Sequence, residues 1–167
     1  MSLSKRCFAP VVNARTCVLV LGSLPGEASL AAARYYAHPQ NQFWRLVGGV
    51  LSLDLASLAY EARLPALLAH GVGLWDTVGE ALRAGSLDGA IRDARANDLA
   101  ALVATLPELR AIAFNGKTAA RVGRSVFGET GLTLIDLPSS SPALTTPFAA
   151  KARAWQALAE FASSPRC

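Results

Sequence analysis

Four short runs of branched and apolar residues stand out along the chain: 16–21 (TCVLVL), 72–75 (VGLW), 111–114 (AIAF) and 132–137 (LTLIDL). Each is followed at once by small or polar residues. Their length and near-continuous apolarity predict strands buried on both faces, the habit of parallel sheets. Between them the apolar positions switch to helical spacing, over 43–51, 55–69, 98–105, 118–127 and 148–162. In the last of these, Phe148, Trp155 and Leu158 share one face, and Lys151 and Arg153 are expected to point elsewhere. Strands alternating with helices imply right-handed crossovers and an α/β three-layer sandwich, built on a central, mainly parallel four-stranded sheet. One domain over 1–167 accounts for the whole pattern, with 163–167 read as a frayed tail.

In such sheets ligands sit beyond the carboxyl ends of the strands. Here those ends carry GSLPG (22–26), Asp76 with Thr77, Asn115 with Gly116 and Lys117, and LPSSSP (137–142). The first and last of these segments lie more than a hundred residues apart in the chain, yet both supply small residues, hydroxyls and backbone amides. They read as two lips of one cleft.

Composition narrows the class. With 52% hydrophobic and 17% charged residues in a chain of 167, there is enough apolar side chain for one sizeable core. No run of about 18 apolar residues predicts a membrane span, and the first 20 residues lack the apolar core of a signal peptide. Cys7, Cys17 and Cys167 are odd in number and lack metal spacing, so they read as free thiols in a reducing, cytoplasmic compartment. Three cysteines are too few for an iron–sulfur cluster, and His38 and His70 alone make no zinc site. The net charge of +4 biases the protein toward polyanions. The cations expected to face the cleft are Lys117, Arg121, Lys151 and Arg153, each with a solvated helix face as its plainer explanation.

Several motifs suggest chemistry that their spacing does not support. GSLPG has neither the spacing of a dinucleotide fingerprint nor that of a nucleophile elbow, because Ser23 directly follows Gly22. In the segment 114–118 (FNGKT) the first glycine of a phosphate-binding loop would fall at Ala111, which opens a strand. Asn115 at that strand end either presents its carboxamide to a base edge or caps a helix. Ser139, Ser140 and Ser141 form either a plain loop or a holder of DNA phosphates. Asp76 is a candidate general base, with a helix N-cap as the plainer reading. Asn97 and Asp98 read as a helix start and His70 as a helix end.

The loop 35–44 (YYAHPQNQFW) is denser. Phe43 and Trp44 anchor a helix into the core, but Tyr36, His38 and Asn41 add stacking and hydrogen-bonding groups that a core does not need.

With these segments in order, the chain resembles the uracil-DNA glycosylase superfamily, most closely its hypoxanthine-DNA glycosylase (DNA-deoxyinosine glycosylase) branch. GSLPG stands where mismatch-specific thymine and uracil glycosylases have Gly-Ile-Asn-Pro-Gly. Residues 37–44 (AHPQNQFW) match His-Pro-x-Asn-x-Phe-Trp, 114–117 match Phe-Asn-Gly-Lys, and LPSSSP is similar to Pro-Ser-Ser-Ser. Two positions depart from the mismatch-specific enzymes. Leu24 replaces their catalytic asparagine, and Ala143 replaces the arginine that fills the gap left by a flipped base.

The resemblance implies a uracil-DNA glycosylase-like fold and a monofunctional enzyme, working as a monomer without cofactor or metal on DNA that contains deaminated bases. It moves the catalytic role to Asn41. Ser23, Leu24, Tyr36 and Asn115 are expected to contact the base, and Gly22, Pro25, Gly26, His38, Lys117, Ser139, Ser140 and Ser141 to line the cleft or hold phosphates. Hypoxanthine is the expected base, with a uracil-preferring enzyme the nearest rival. A catalytically silent lesion binder and a small-molecule phosphate-binding domain are the readings from other classes.

Overall fold

A computed structural model of the chain describes residues 4–83 and 91–163. Strands β2 (Val18–Gly22), β3 (Val72–Asp76), β6 (Ala111–Asn115) and β7 (Thr133–Leu137) form the central sheet, in the order β3-β2-β6-β7 and parallel throughout. All four predicted strands are present, within two residues at each end. The two-residue period of a strand sorts their side chains into two layers. Val18, Val20, Val72, Leu74, Ala111 and Ala113 enter one apolar core, where they meet Phe43, Leu46, Val47, Leu67 and Trp155. Leu19, Leu21, Ile112 and Phe114 enter the opposite core with Leu99 and Ala119. Helices α2 (Phe43–Leu51), α3 (Tyr60–Ala69) and α6 (Phe148–Trp155) therefore cover one face, and α4 (Leu99–Ala104) and α5 (Lys117–Phe127) the other. This is the expected three-layer sandwich.

The structure adds three features that the periodicity does not predict. A short helix α1 (Glu27–Ala32) follows the GSLPG turn. Strands β1 (Ser4–Arg6), β4 (Val78–Arg83) and β5 (Ile91–Ala96) make a second, antiparallel sheet in the order β1-β4-β5. The helix expected over 55–69 is divided, because Asp54 accepts a hydrogen bond from the Ser57 amide and closes a separate 3-10 turn ahead of α3. Likewise the final helix ends at Trp155 and continues only as a 3-10 turn over Gln156–Leu158. The tail expected at 163–167 lies outside the described residues from 164 onward, as does Cys167. Among the described residues, no helix is long and apolar enough to cross a membrane.

One glycine sets how closely a helix approaches the sheet. A Cβ on Gly123 in α5 would stand 2.1 Å from Cε1 of Phe114, a ring with no exposed surface. Gly123→Ala is therefore expected to lower stability by about 1–3 kcal/mol through overpacking, seen as a lower urea midpoint at unchanged slope. An unshifted midpoint would mean that α5 is free to slide outward.

Candidate active site

The carboxyl ends of the four parallel strands open into a cleft of about 920 Å³. All thirteen residues that the sequence marks for the site border it: Asn41, Ser23, Leu24, Tyr36 and Asn115 among them, and the glycines, Pro25, His38, Lys117 and serines of the two turns. Asn41 thus stands on the cleft wall and not in the hydrophobic interior.

Local structure explains how each group is held. Gly22 closes β2 opposite Asp76 at the end of β3. A Cβ at Gly22 would lie 2.8 Å from Oδ1 of Asp76 and 3.0 Å from the Tyr36 hydroxyl, so this glycine lets a carboxylate and a phenol close in over the strand end. Tyr36 adopts φ +52°, a left-handed conformation that side chains rarely take, and its ring stacks on Phe43 at 3.9 Å and 12°. The same turn is tied to α1, since the Ala37 amide donates to Ser29 Oγ at 3.0 Å. Asn41 Oδ1 accepts from the Phe43 amide at 3.0 Å, which closes an Asx turn leading into α2 and fixes the side chain. His38 Nδ1 accepts from the Gln40 amide at 3.1 Å, so the neutral ring carries its proton on Nε2.

Asn115 is engaged on both ends of its carboxamide. Its Nδ2 donates to Ser140 Oγ at 2.9 Å and to the Tyr36 hydroxyl at 3.3 Å, while its Oδ1 accepts from the Ser140 amide at 2.9 Å. The helix-cap alternative for Asn115 does not occur, because α5 begins after Gly116 without a side-chain cap. The carboxamide instead fastens β6 to the serine turn and to Tyr36. The serine turn is also held from behind, by Trp155 Nε1 donating to Pro138 O at 2.9 Å and by the Gln42 amide donating to Ser140 O at 3.0 Å.

Three expectations are corrected. Asp76 is not an N-cap, because β4 and not a helix follows it. It is a buried carboxylate, 3% exposed, on the cleft border. Its charge adds to burial in pushing the Tyr35 phenol pKa upward, burial being the larger cause. Lys151 does not point away from the apolar face of α6. It is 1% exposed, with Nζ donating to Gln42 Oε1 at 3.0 Å and to Ser141 O at 3.1 Å, and burial holds its pKa below the usual lysine value. Of the four cations expected to face the cleft, Lys117 alone borders it; Arg121 and Arg153 are exposed away from it. The signal for Lys151 was available, because 151, 155 and 158 fall at i, i+4 and i+7 on the buried stripe. The other helix-end readings hold: Asp98 accepts from the Ala101 amide at the start of α4, and His70 closes α3 with its Nδ1 2.9 Å from Ala66 O.

The sequence pattern of the Uracil DNA glycosylase superfamily matches residues 9–159, a span that contains both turns, the Tyr36–Asn41 loop and the whole central sheet. The chain belongs to the uracil DNA glycosylase superfamily. Two curated superfamily relatives are similar across most of their lengths, both named hypoxanthine DNA glycosylase. One, from Methanosarcina barkeri, is 42% identical over 69% of this chain and 73% of its own. The other, from Methanosarcina acetivorans, is 41% identical over 83% and 87%. A solution NMR structure described as a candidate uracil DNA glycosylase from Methanosarcina acetivorans superposes with a TM-score of 0.84 at 37% identity, covering 93% of this chain and 96% of that one.

Proposed function

We propose that this superfamily member is a monofunctional DNA glycosylase that hydrolyses the N-glycosidic bond of deoxyinosine. The observation that carries the reading is Asn41 on the wall of a cleft closed by the GSLPG and serine turns, in a chain whose relatives are named hypoxanthine DNA glycosylases. The DNA docks by its phosphates on the serine turn and Lys117, and the deaminated nucleotide rotates out of the stack into the cleft. The base lies against the face of Tyr36 that Phe43 leaves uncovered.

Bond cleavage puts positive charge on the sugar and negative charge on the departing base. Asn41 is a weak base, so its part is to orient the attacking water against the oxocarbenium-like sugar. Backbone amides of the GSLPG turn lower the energy of the leaving base. Asn115, committed to Ser140 and Tyr36, acts by holding Tyr36 and the serine turn in register.

The gap in the duplex is filled by Leu144. It follows Ala143 on the rim of the cleft and is 37% exposed, and unlike the other exposed large apolar side chains, Leu53, Leu58 and Val126, it borders the cleft, where an intercalating wedge would stand. Leu144→Ala is expected to slow excision from duplex DNA at least tenfold more than excision from single-stranded DNA, where no stack needs to be broken. Equal slowing on both would remove the wedge assignment.

The functional test offers duplex oligonucleotides carrying deoxyinosine, deoxyuridine, deoxyxanthosine or a mismatched thymine, and reveals abasic sites with alkali. Deoxyinosine is expected to be cleaved fastest, with no protein–DNA adduct trapped by borohydride. A uracil-first ranking would shift the substrate to the nearest rival. Absence of abasic sites on all four would leave a lesion binder.

A further inference from the structure

Lys151 is among the largest fully buried side chains of the molecule, yet its two partners, Gln42 Oε1 and Ser141 O, are both neutral. An ammonium taken from water and given no carboxylate among the described residues costs stability, and a methionine of similar volume would fill the same space without that cost. Folding alone gives no reason for a charge here.

The partners supply one. Gln42 is the residue next to Asn41, and Ser141 ends the serine turn. The Gln42 amide also donates to Ser140 O across the same junction, at 3.0 Å. The two halves of the cleft come from segments about a hundred residues apart, and they meet at this junction. A charge-assisted donor with three hydrogens grips two oxygens at once, and does so more strongly than a neutral group. It is also delivered by α6, whose Trp155 holds Pro138 at the other end of the serine turn.

We propose that Lys151 is a positioning residue for base excision, its buried ammonium locking the Asn41 turn to the serine turn so that water and the phosphate-anchored nucleotide meet in one geometry. The proposal rests on the glycosylase reading of this cleft, because misplacement by about 1 Å costs about 100-fold in rate.

The test uses the full chain and the variants Lys151→Met, Gln42→Leu and their double. With enzyme in excess over deoxyinosine duplex, each single variant is expected to lose roughly 10- to 100-fold in single-turnover rate, with DNA affinity at fixed salt changed less than about threefold. The double variant is expected to lose no more than the worse single, because both break one joint. Independently of any activity, amide hydrogen exchange at 41–43 and 140–141 should quicken about tenfold in each single variant, while Lys151→Met melts no lower than wild type. Wild-type rates in either single variant, additive losses, or unchanged exchange would overturn the proposal. Should Lys151→Met fail to fold, Gln42→Leu decides alone. A wild-type protein that releases no base from any lesion would defeat the glycosylase reading instead, and exchange would then judge the joint by itself.

Discussion

Asn41→Ala is expected to lower the single-turnover rate of deoxyinosine excision by about 100-fold or more, because an unoriented water loses the advantage of its fixed approach to the sugar. DNA affinity should stay near that of the wild type, since the phosphate contacts proposed for the serine turn and Lys117 are untouched. The substitution also removes the oxygen that accepts from the Phe43 amide, a hydrogen bond worth about 1 kcal/mol. Asn41→Ser separates the two effects. Its hydroxyl can accept from the same amide, so stability recovers, but it is shorter than a carboxamide and should remain as inactive as the alanine variant. Activity returning with serine would reassign Asn41 to bracing its turn and pass the catalytic role to Asp76 or Ser23.

Phe43→Ala is expected to cost about 3–5 kcal/mol of stability, the range for deleting a buried aromatic ring. Phe43 has no exposed surface and contacts the rings of Tyr36, Trp44 and Trp155 at centroid separations of 3.9, 5.0 and 5.8 Å. Urea denaturation measures the loss. Phe43→Leu, which keeps most of the apolar volume, should cost far less stability but still remove the plane on which Tyr36 lies. Its excision rate should fall while its fold survives, because a ring held at φ +52° needs its surroundings to keep it there. A Leu variant with full activity would mean that Tyr36 keeps its place without the Phe43 ring, its hydroxyl contact with Asn115 being one of the holds that remain.

Much of this architecture could be read from the chain because burial on both faces leaves a strong trace. A parallel strand covered by helices on either side is apolar along its length, and 18–22, 72–75 and 111–114 show that run up to the polar strand ends. The antiparallel β1-β4-β5 sheet left no such trace: its strands are rich in Arg, Glu and Asp, and β1 pairs with β4 across 74 to 78 residues, a separation that local pattern does not encode. Helix α1 was hidden for a different reason. At six residues it is too short to display a full apolar stripe.

The candidate site divides in the same way. The chemistry of Tyr36, His38 and Asn41 was visible because those residue types crowd a loop where packing alone does not call for them. Asp76 was misjudged because a single charged residue at a strand end carries no sign of whether its environment is water or protein, and Lys151 because its charge outweighed its place on the buried stripe of α6. By itself, then, the order of residues determined the parallel core, the two turns at its strand ends and the amide between them, since each is expressed within a few neighbouring positions. Only the tertiary structure decided that a carboxylate and the Tyr36 hydroxyl close in over Gly22, that Asn115 is committed to Ser140, and that a buried ammonium joins the two halves of the cleft. Those are contacts between segments far apart in the chain, and their energies depend on desolvation and distance, which exist only after folding.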